Sequence, residues 1–387
     1  MIEINSHIGV QTMSKFDIER IRQRFSEVGL GSEPKYQFKF GPLGLPIAEA
    51  EKRELEEIGK AAQEYIKLID TWYRRASKSP AGSWLVSVLN TVIPRKSGYR
   101  SFPHNDDMPV TFMVDTVWTA DGWRVVEVDV TNRNAMGYPL IMRHLYDLPS
   151  VWKGIDEEWL QSGWEGTTQV MAEHHRYYEP YFRFFLDRIN GKLAKEEGLG
   201  KWLNANGGEV RRLLDVPVLF HSKLSTPRLL QAATNWPVAI PPKHYLSSKA
   251  LTTLPWEMNL ARDLAIVKFL PEGRLVCRTR PLPQGDFYLK FLQSGGAHGT
   301  FFNDRDQLDA LHQARKPKAI WQKALPICTR PVCYVDDNGQ MTHGDFYVRV
   351  SIFVNQKGEV VDADATCSSD NVVHGSKRSV MTVPVLV

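Results

Sequence analysis

Hydrophobic positions recur with two different periods along this chain. Leu55, Ile58, Ala62, Tyr65, Ile69 and Trp72 fall three or four residues apart with charged residues between them. That spacing predicts an amphipathic helix with one buried stripe. From residue 108 the period changes. "MPVTFMVDTVWTADGWRVVEVDV" predicts two strands joined at "ADG", a good turn sequence. Asp115 falls on the first strand and Glu127 and Asp129 on the second. Side chains alternate along a strand, so Glu127 and Asp129 share a face. Two carboxylates on one face of an apolar strand need a cation, a metal or solvent.

Residues 168–190 predict a helix interrupted near Pro180. His174 and His175 lie within it, and adjacent helical positions point about 100° apart, a poor arrangement for holding one ion. From 216 the texture shifts to short strands and helices. "VPVLF" precedes "STPRLLQAAT", which has a capping residue and a proline at a helix start. The last sixty residues again alternate, as "FYVRVSIFV", a turn at "NQKG", and "EVVDADATC". No repeat or long linker appears. The expected organisation is three regions: 1–95, mainly helical; 96–210, carrying the acidic strands; and 211–387.

The stretch "FYLKFLQSGGAHG" puts Lys290 between a strand and a glycine-rich turn. Glycines let backbone N–H groups approach phosphate oxygens, and a lysine, here expected to be partly exposed, adds a point charge. A plain hairpin has the same appearance. The segment lacks the residue order of a P-loop and of a dinucleotide fingerprint.

Composition narrows the classes. The chain has 387 residues, 43% hydrophobic and 24% charged, with a net charge of +4. That length suggests two or three lobes sharing one site. The small charge, without a basic run interleaved with aromatics, disfavours nucleic acid as a partner. No apolar run reaches the roughly 20 residues of a membrane span, and the N-terminus lacks a signal-peptide plan. Cys277, Cys328, Cys333 and Cys367 show no paired spacing, so reduced thiols in a cytoplasmic protein are expected.

Taken in order, the candidate residues resemble the ATP-grasp superfamily. Lys249 is a first lysine and Lys290 a strand lysine before glycines. "AIWQKALP", with Gln322, resembles the hinge beside an adenine, and Arg349 stands on a later strand. The acidic set Asp115, Glu127 and Asp129 precedes the lysines. That order, with its 12- and 2-residue spacings, is similar to the synthetase domain of the glutathionylspermidine synthase group. "DNVVHGSKRSVMTVPVL" resembles that group's closing stretch, with Arg378 and neighbouring Lys377 at the arginine position. Asp129 stands where the group has asparagine, and Met113 where it has arginine.

The resemblance implies an α/β (α+β) ATP-grasp-like fold with a nucleotide site between two α+β lobes. It implies ATP and Mg2+ as cofactors, with Asp115, Glu127 and Asp129 as metal ligands and Asn132 in reserve. Lys249, Lys290, Gly295, Gly296, Gly299 and Gln322 would bind nucleotide. Lys268 competes with Lys249 as the first phosphate lysine. Arg349 and Arg378 would act on the transferring phosphoryl group. The implied reaction is ATP-dependent ligation of a small-molecule or peptide carboxylate to an amine, through an acylphosphate. An inactive scaffold binding nucleotide or a peptide, and an ATP-dependent phosphotransferase, are the alternatives. The acidic trio can also be read as a solvated hairpin. Asp362 and Asp364 can be read as structural partners of these arginines. The polar loop Ser368–Asn371 is either an acceptor site or an ordinary turn.

Overall fold

The computed structural model describes residues 15–30, 38–92, 108–130, 136–171, 179–195, 213–215, 239, 243–292, 299–373 and 379–387. Its strands are β1 (Lys39–Phe40), β2 (Leu45–Ile47), β3 (Thr111–Thr119), β4 (Gly122–Asp129), β5 (Thr168–Met171), β6 (Lys192–Lys195), β7 (Leu213–Asp215) and β8 (Gly273–Leu275). They continue with β9 (Phe287–Phe291), β10 (Thr300–Phe302), β11 (Ala319–Lys323), β12 (Thr329–Val335), β13 (Met341–Asn355), β14 (Val360–Ser368), β15 (Val380–Thr382) and β16 (Pro384–Leu386). The α-helices are α1 (Lys15–Glu27), α2 (Glu49–Ala76), α3 (Ser83–Leu89), α4 (Tyr138–Tyr146), α5 (Ile155–Gln161), α6 (Glu179–Arg188), α7 (Leu254–Glu257) and α8 (Arg305–His312).

Two sheets organise this mixed α/β fold. The main sheet runs β1-β15-β14-β13-β3-β4, with β12 pairing the first half of the long β13. It therefore draws strands from all three regions of the sequence. A second sheet, β10-β9-β11-β8, is antiparallel throughout.

Local sequence explains the hairpins. The β3–β4 turn closes at Gly122, whose φ of +100° suits glycine. A Cβ there would come within 2.4 Å of a Glu54 carboxylate oxygen, and Glu54 accepts the Trp123 N–H at 3.1 Å. At the β13–β14 turn, Asn355 Oδ1 accepts the N–H groups of Lys357 and Glu359, and Gly358 takes φ +88°.

The predicted stripe lies on the buried face of α2: Leu55, Ile58, Ala62, Tyr65 and Ile69 are buried, while Trp72, the last predicted position, is half-buried against the same core. It covers one face of the main sheet, made by Phe112, Val114, Val128, Val350, Ile352 and Ala363. The opposite face is divided. At one end Met113 and Phe353 pack against Leu140, Ile155, Trp159 and Phe182 from α4, α5 and α6. The other end is polar.

One expectation needs correction. The helix read over 168–190 begins as a strand, β5, paired in parallel with β6 and β7; its first residues are held by partners that local periodicity does not reveal. Helix α6 is described from Glu179 onward, and residues 172–178 before Pro180 lie outside the described residues. Lys268 ends a short 3-10 turn and pairs with Glu57 at 3.2 Å, both side chains well exposed. His174 and His175, and the segments "VPVLF" and "STPRLLQAAT", lie outside the described residues. Among the described residues no helix is long and apolar enough to cross a membrane. All four cysteines are free.

Candidate functional site

The polar end of the divided face begins with strand register. Asp115 on β3 lies opposite Glu127 on β4 and, on its other side, opposite Ser351 on β13. Ser351 in turn lies opposite Asp364 on β14. Four polar residues therefore form one row across four adjacent strands, roughly 14 Å long at the usual strand spacing. Ser351 Oγ donates to Asp115 Oδ1 at 2.7 Å and is also within hydrogen-bond reach of Asp364. Asp115, Ser351 and Asp364 are buried.

A β-bulge shapes the end of the row. Between Asp115 and Thr116 the register shifts, leaving Val126 as an extra residue on β4. Before it, Trp123 and Val125 face the α2 core; after it, Val128 and Val130 do. The bulge leaves the Val126 carbonyl free of the ladder. Lys290, reaching over from β9 of the second sheet, donates to that carbonyl at 3.0 Å. The adjacent pair Val125–Val126, breaking the alternation of "WRVVEVDV", is a sequence signal for this slip.

Lys290 is buried rather than partly exposed, because β9 is packed between β10 and β11 and its side chain is covered by β4. Burial pushes its ammonium down to about 8, against the pull of Glu127. The stretch that reads either as a hairpin or as a site edge begins and ends in antiparallel strands, with Lys290 opposite Thr300, and its residues 293–298 lie outside the described residues. Its lysine nevertheless faces the acidic row.

Lys249 arrives from a different element. It opens a 3-10 turn, Lys249–Thr252, capped by the Ser248 side chain, which accepts from the Ala250 N–H. Its Nζ lies 3.8 Å from Glu127 Oε2. Thus Lys249, not Lys268, stands at the row. Gln322, on β11, is buried and donates to Thr252 Oγ1 of the same turn at 2.8 Å. Asp129 accepts from Ser247 Oγ at 2.8 Å and lies opposite Met113, where the face turns apolar.

Arg349 stands two residues from Ser351 on the same face of β13. Its contacts are long: 3.6 Å from Nη1 to Asp115 Oδ2, 3.4 Å to the Val373 carbonyl and 3.4 Å from Nη2 to Thr366 Oγ1. Its Nε has no hydrogen-bond partner among the described residues.

The electrostatics follow from crowding carboxylates out of water. Burial raises the proton affinity of Glu127; Lys249 and Lys290 oppose that, while Asp115 and Asp129 add to it. Burial likewise holds the Asp364 proton up to about 7, although Arg349 pulls it down. Arg349 itself loses charge preference to burial but regains more from Asp115, Asp364 and Glu127, and ends above its ordinary value. Among the described residues, no three of the His, Cys, Asp and Glu side chains converge closely enough to hold a metal ion by themselves.

Of the other sequence candidates, Gly299 is buried and its carbonyl accepts the Phe291 N–H at 2.8 Å. Ser368 is buried and its Oγ accepts the Asp370 N–H at 3.1 Å, as in an ordinary turn. Asp362 is held by Arg143 rather than by Arg349. Gly295, Gly296, Asn132, Lys377 and Arg378 lie outside the described residues. Ser351 was not legible as a site residue, although its place two residues from Arg349 puts both on one strand face.

No family model matches the chain, and no curated protein matches it in sequence. Among solved structures it is similar to a glutathione synthetase-like effector from Globodera pallida, solved in its apo form. The two are 13% identical with a TM-score of 0.59, over 96% of this chain and 97% of that one. The likeness extends over nearly the whole of both chains and is one of fold.

Proposed function

We propose that the polar row and the lysines facing it form the site of an ATP-dependent carboxylate–amine ligase. The observation that carries this reading is convergence. Lys249, from a turn, and Lys290, from the second sheet, meet Glu127 and the bulge beside it, while Asp115 stands opposite. Two cations beside two apposed carboxylates suit a polyphosphate carrying a divalent ion. The glutathione synthetase-like fold supports a ligase, and the order of acids before lysines favours the glutathionylspermidine synthetase-domain pattern within ATP-grasp proteins.

Magnesium fits the donor set. Asp115 and Glu127 offer hard oxygens, and magnesium commonly takes one or two carboxylates and completes its shell with water and phosphate. Asp129, engaged by Ser247, would stand beside them. When bound, the ion would neutralise charge on the phosphates and polarise the phosphoryl group. Lys249 and Lys290 would hold the phosphates, and Gln322 would lie toward the base. Arg349, whose fork is only loosely engaged, would receive an anionic oxygen of the reacting groups. Gly295, Gly296 and Arg378 enter this reading from the sequence alone.

The reaction balances simply. A substrate carboxylate oxygen attacks the terminal phosphorus of ATP and ADP departs. The amine lone pair then attacks the acyl carbon, phosphate leaves, and the amine loses a proton. Free thiols and a need for ATP fit a cytoplasmic setting.

A second reading, nucleotide binding without ligation, is favoured by Met113. It is buried among apolar side chains of α4 and α5, where the resembled group carries an arginine.

An ADP-release screen across amino acids, short peptides and polyamines separates these readings. The ligase releases ADP when acid and amine are supplied together. ADP release with a stable phosphorylated product and no amine requirement indicates a phosphotransferase. Tight nucleotide binding without release supports the scaffold, and no nucleotide binding at all overturns both.

A further inference from the structure

Away from the polar row, a thiol and an imidazole meet on the outer part of the main sheet. Cys333 on β12 and His343 on β13 lie directly opposite each other in the antiparallel register. Cys333 Sγ is 3.0 Å from His343 Nδ1 and 3.6 Å from Nε2. Cys333 is half-buried and His343 exposed, so both are within reach of a small molecule. Cys277 and Cys367 are buried, and Cys328 donates to the Pro326 carbonyl at 3.6 Å. Among the described residues Cys333 is thus the thiol paired with a base.

His343 and Arg349 share a face of β13 but stand six residues apart, about 20 Å along a strand. The pair is therefore too far away to take part in chemistry at Arg349. Its surroundings on that face are mostly apolar: Pro331 and Val335 on β12, and Met341 on β13. Asp345, two residues beyond His343, is the charged neighbour there.

We propose that Cys333 and His343 form a reactive thiol site for small disulfides, independent of the polar row. Burial pushes the Cys333 thiol up, so the sulfur carries its proton at neutral pH and needs a base to react. His343 is placed to accept that proton. As the Cys333 sulfur attacks one sulfur of the disulfide, its proton passes to the imidazole and the disulfide bond breaks. The imidazolium then gives the proton to the departing thiolate or, where that thiolate is weakly basic, to solvent. One thiol and one disulfide become one mixed disulfide and one free thiol, with no other oxidant consumed.

The test uses the full chain under native conditions with 5,5′-dithiobis(2-nitrobenzoate) as the probe disulfide, following release of its coloured thiolate. A fast phase of one thiol is expected, mapped to Cys333 by mass spectrometry of the adduct. Cys328→Ser should retain the phase and Cys333→Ser should lose it. His343→Gln should slow it by on the order of 100-fold near neutral pH, as for loss of a positioned base. The deficit should shrink as the pH rises toward the thiol's own ionisation. A fast phase surviving in Cys333→Ser overturns the proposal. So does His343→Gln reacting at the wild-type rate from pH 6 to 9. Neither substitution should alter the melting temperature much, since His343 is exposed and Cys333→Ser is nearly isosteric at a half-buried position; a loss of melting temperature in His343→Gln that accompanies the loss of rate would make the pair merely structural.

Discussion

Asp362 and Asp364 are two residues apart on one face of β14, both buried, yet their surroundings are opposite. Asp362 is grasped by both prongs of Arg143, accepts the Ile155 N–H at 3.1 Å and accepts the Ala363 N–H at 2.9 Å. Asp364 has Ser351 on one side, the long-armed Arg349 beside it, and two further carboxylates near enough to raise its proton affinity. One carboxylate is satisfied by the fold. The other is held in a row where like charges gather and an arginine nitrogen has no partner among the described residues. A fully matched buried ion pair fastens α4 and α5 to the sheet. An undermatched one is where a ligand can add contacts, because the fold has left donors and charge to be answered.

The comparison predicts opposite responses. The largest effect should come from Asp362→Ala, which leaves the partly buried Arg143 guanidinium without its partner. A loss of about 3 kcal/mol in unfolding free energy is expected, measured by urea denaturation. A loss near zero would mean that Arg143 finds another partner or water, and the contrast between the two ends would weaken.

Next is Glu127→Gln, at the undermatched end. Turnover with ATP should fall by on the order of 100-fold while the unfolding midpoint barely moves. ADP release at saturating magnesium is the readout. Wild-type turnover would remove Glu127 from the site.

Lys290→Ala should weaken ATP binding by roughly tenfold, the size of one charge-assisted contact, as measured by calorimetry. Because Lys290 is buried, the substitution should also change the pH dependence of stability. The Lys290 ammonium is held down to about 8 from an ordinary 10.5. Between those values the unfolded chain binds the extra proton, so this group makes stability rise from about pH 8 to 10.5. That rise should be missing in the alanine variant. Unchanged affinity would make the segment a hairpin and nothing more.

The smallest effect sharpens the comparison most. Asp364 keeps its proton up to about 7, against an ordinary 3.8. Between those values the folded protein binds the extra proton, so this group makes stability fall as pH rises from about 4 to 7. Above that window its buried charge is a standing cost. Asp364→Asn should therefore stabilise the ligand-free protein at pH 8 by on the order of 1 kcal/mol, and by less at pH 5. Destabilisation at pH 8 would mean that Asp364 is as well matched as Asp362.

What the sequence determined by itself is what local chemistry encodes. The three-to-four spacing from Leu55 to Ile69 specifies the buried stripe of α2, because a helix returns to the same face at that interval. "ADG" and "NQKG" specify their turns, because positive φ and side-chain-to-backbone hydrogen bonds act within four residues. Glu127 and Asp129 share a face because both lie beyond the bulge, where alternation is intact. The tertiary structure decided the rest, through contacts between residues far apart in the chain. β5 took a strand conformation because β6 and β7 flank it, against the helical reading of 168–190. Lys249 rather than Lys268 reached Glu127 because the 3-10 turn at 249 packs over β4, while Lys268 faces solvent and Glu57. Arg143 claimed Asp362 from 219 residues away. Ser351 joined the row only because β13 inserts between β3 and β14. Periodicity reports which face of an element is buried. Which element covers that face depends on closing long loops and matching registers, and no local pattern carries that information.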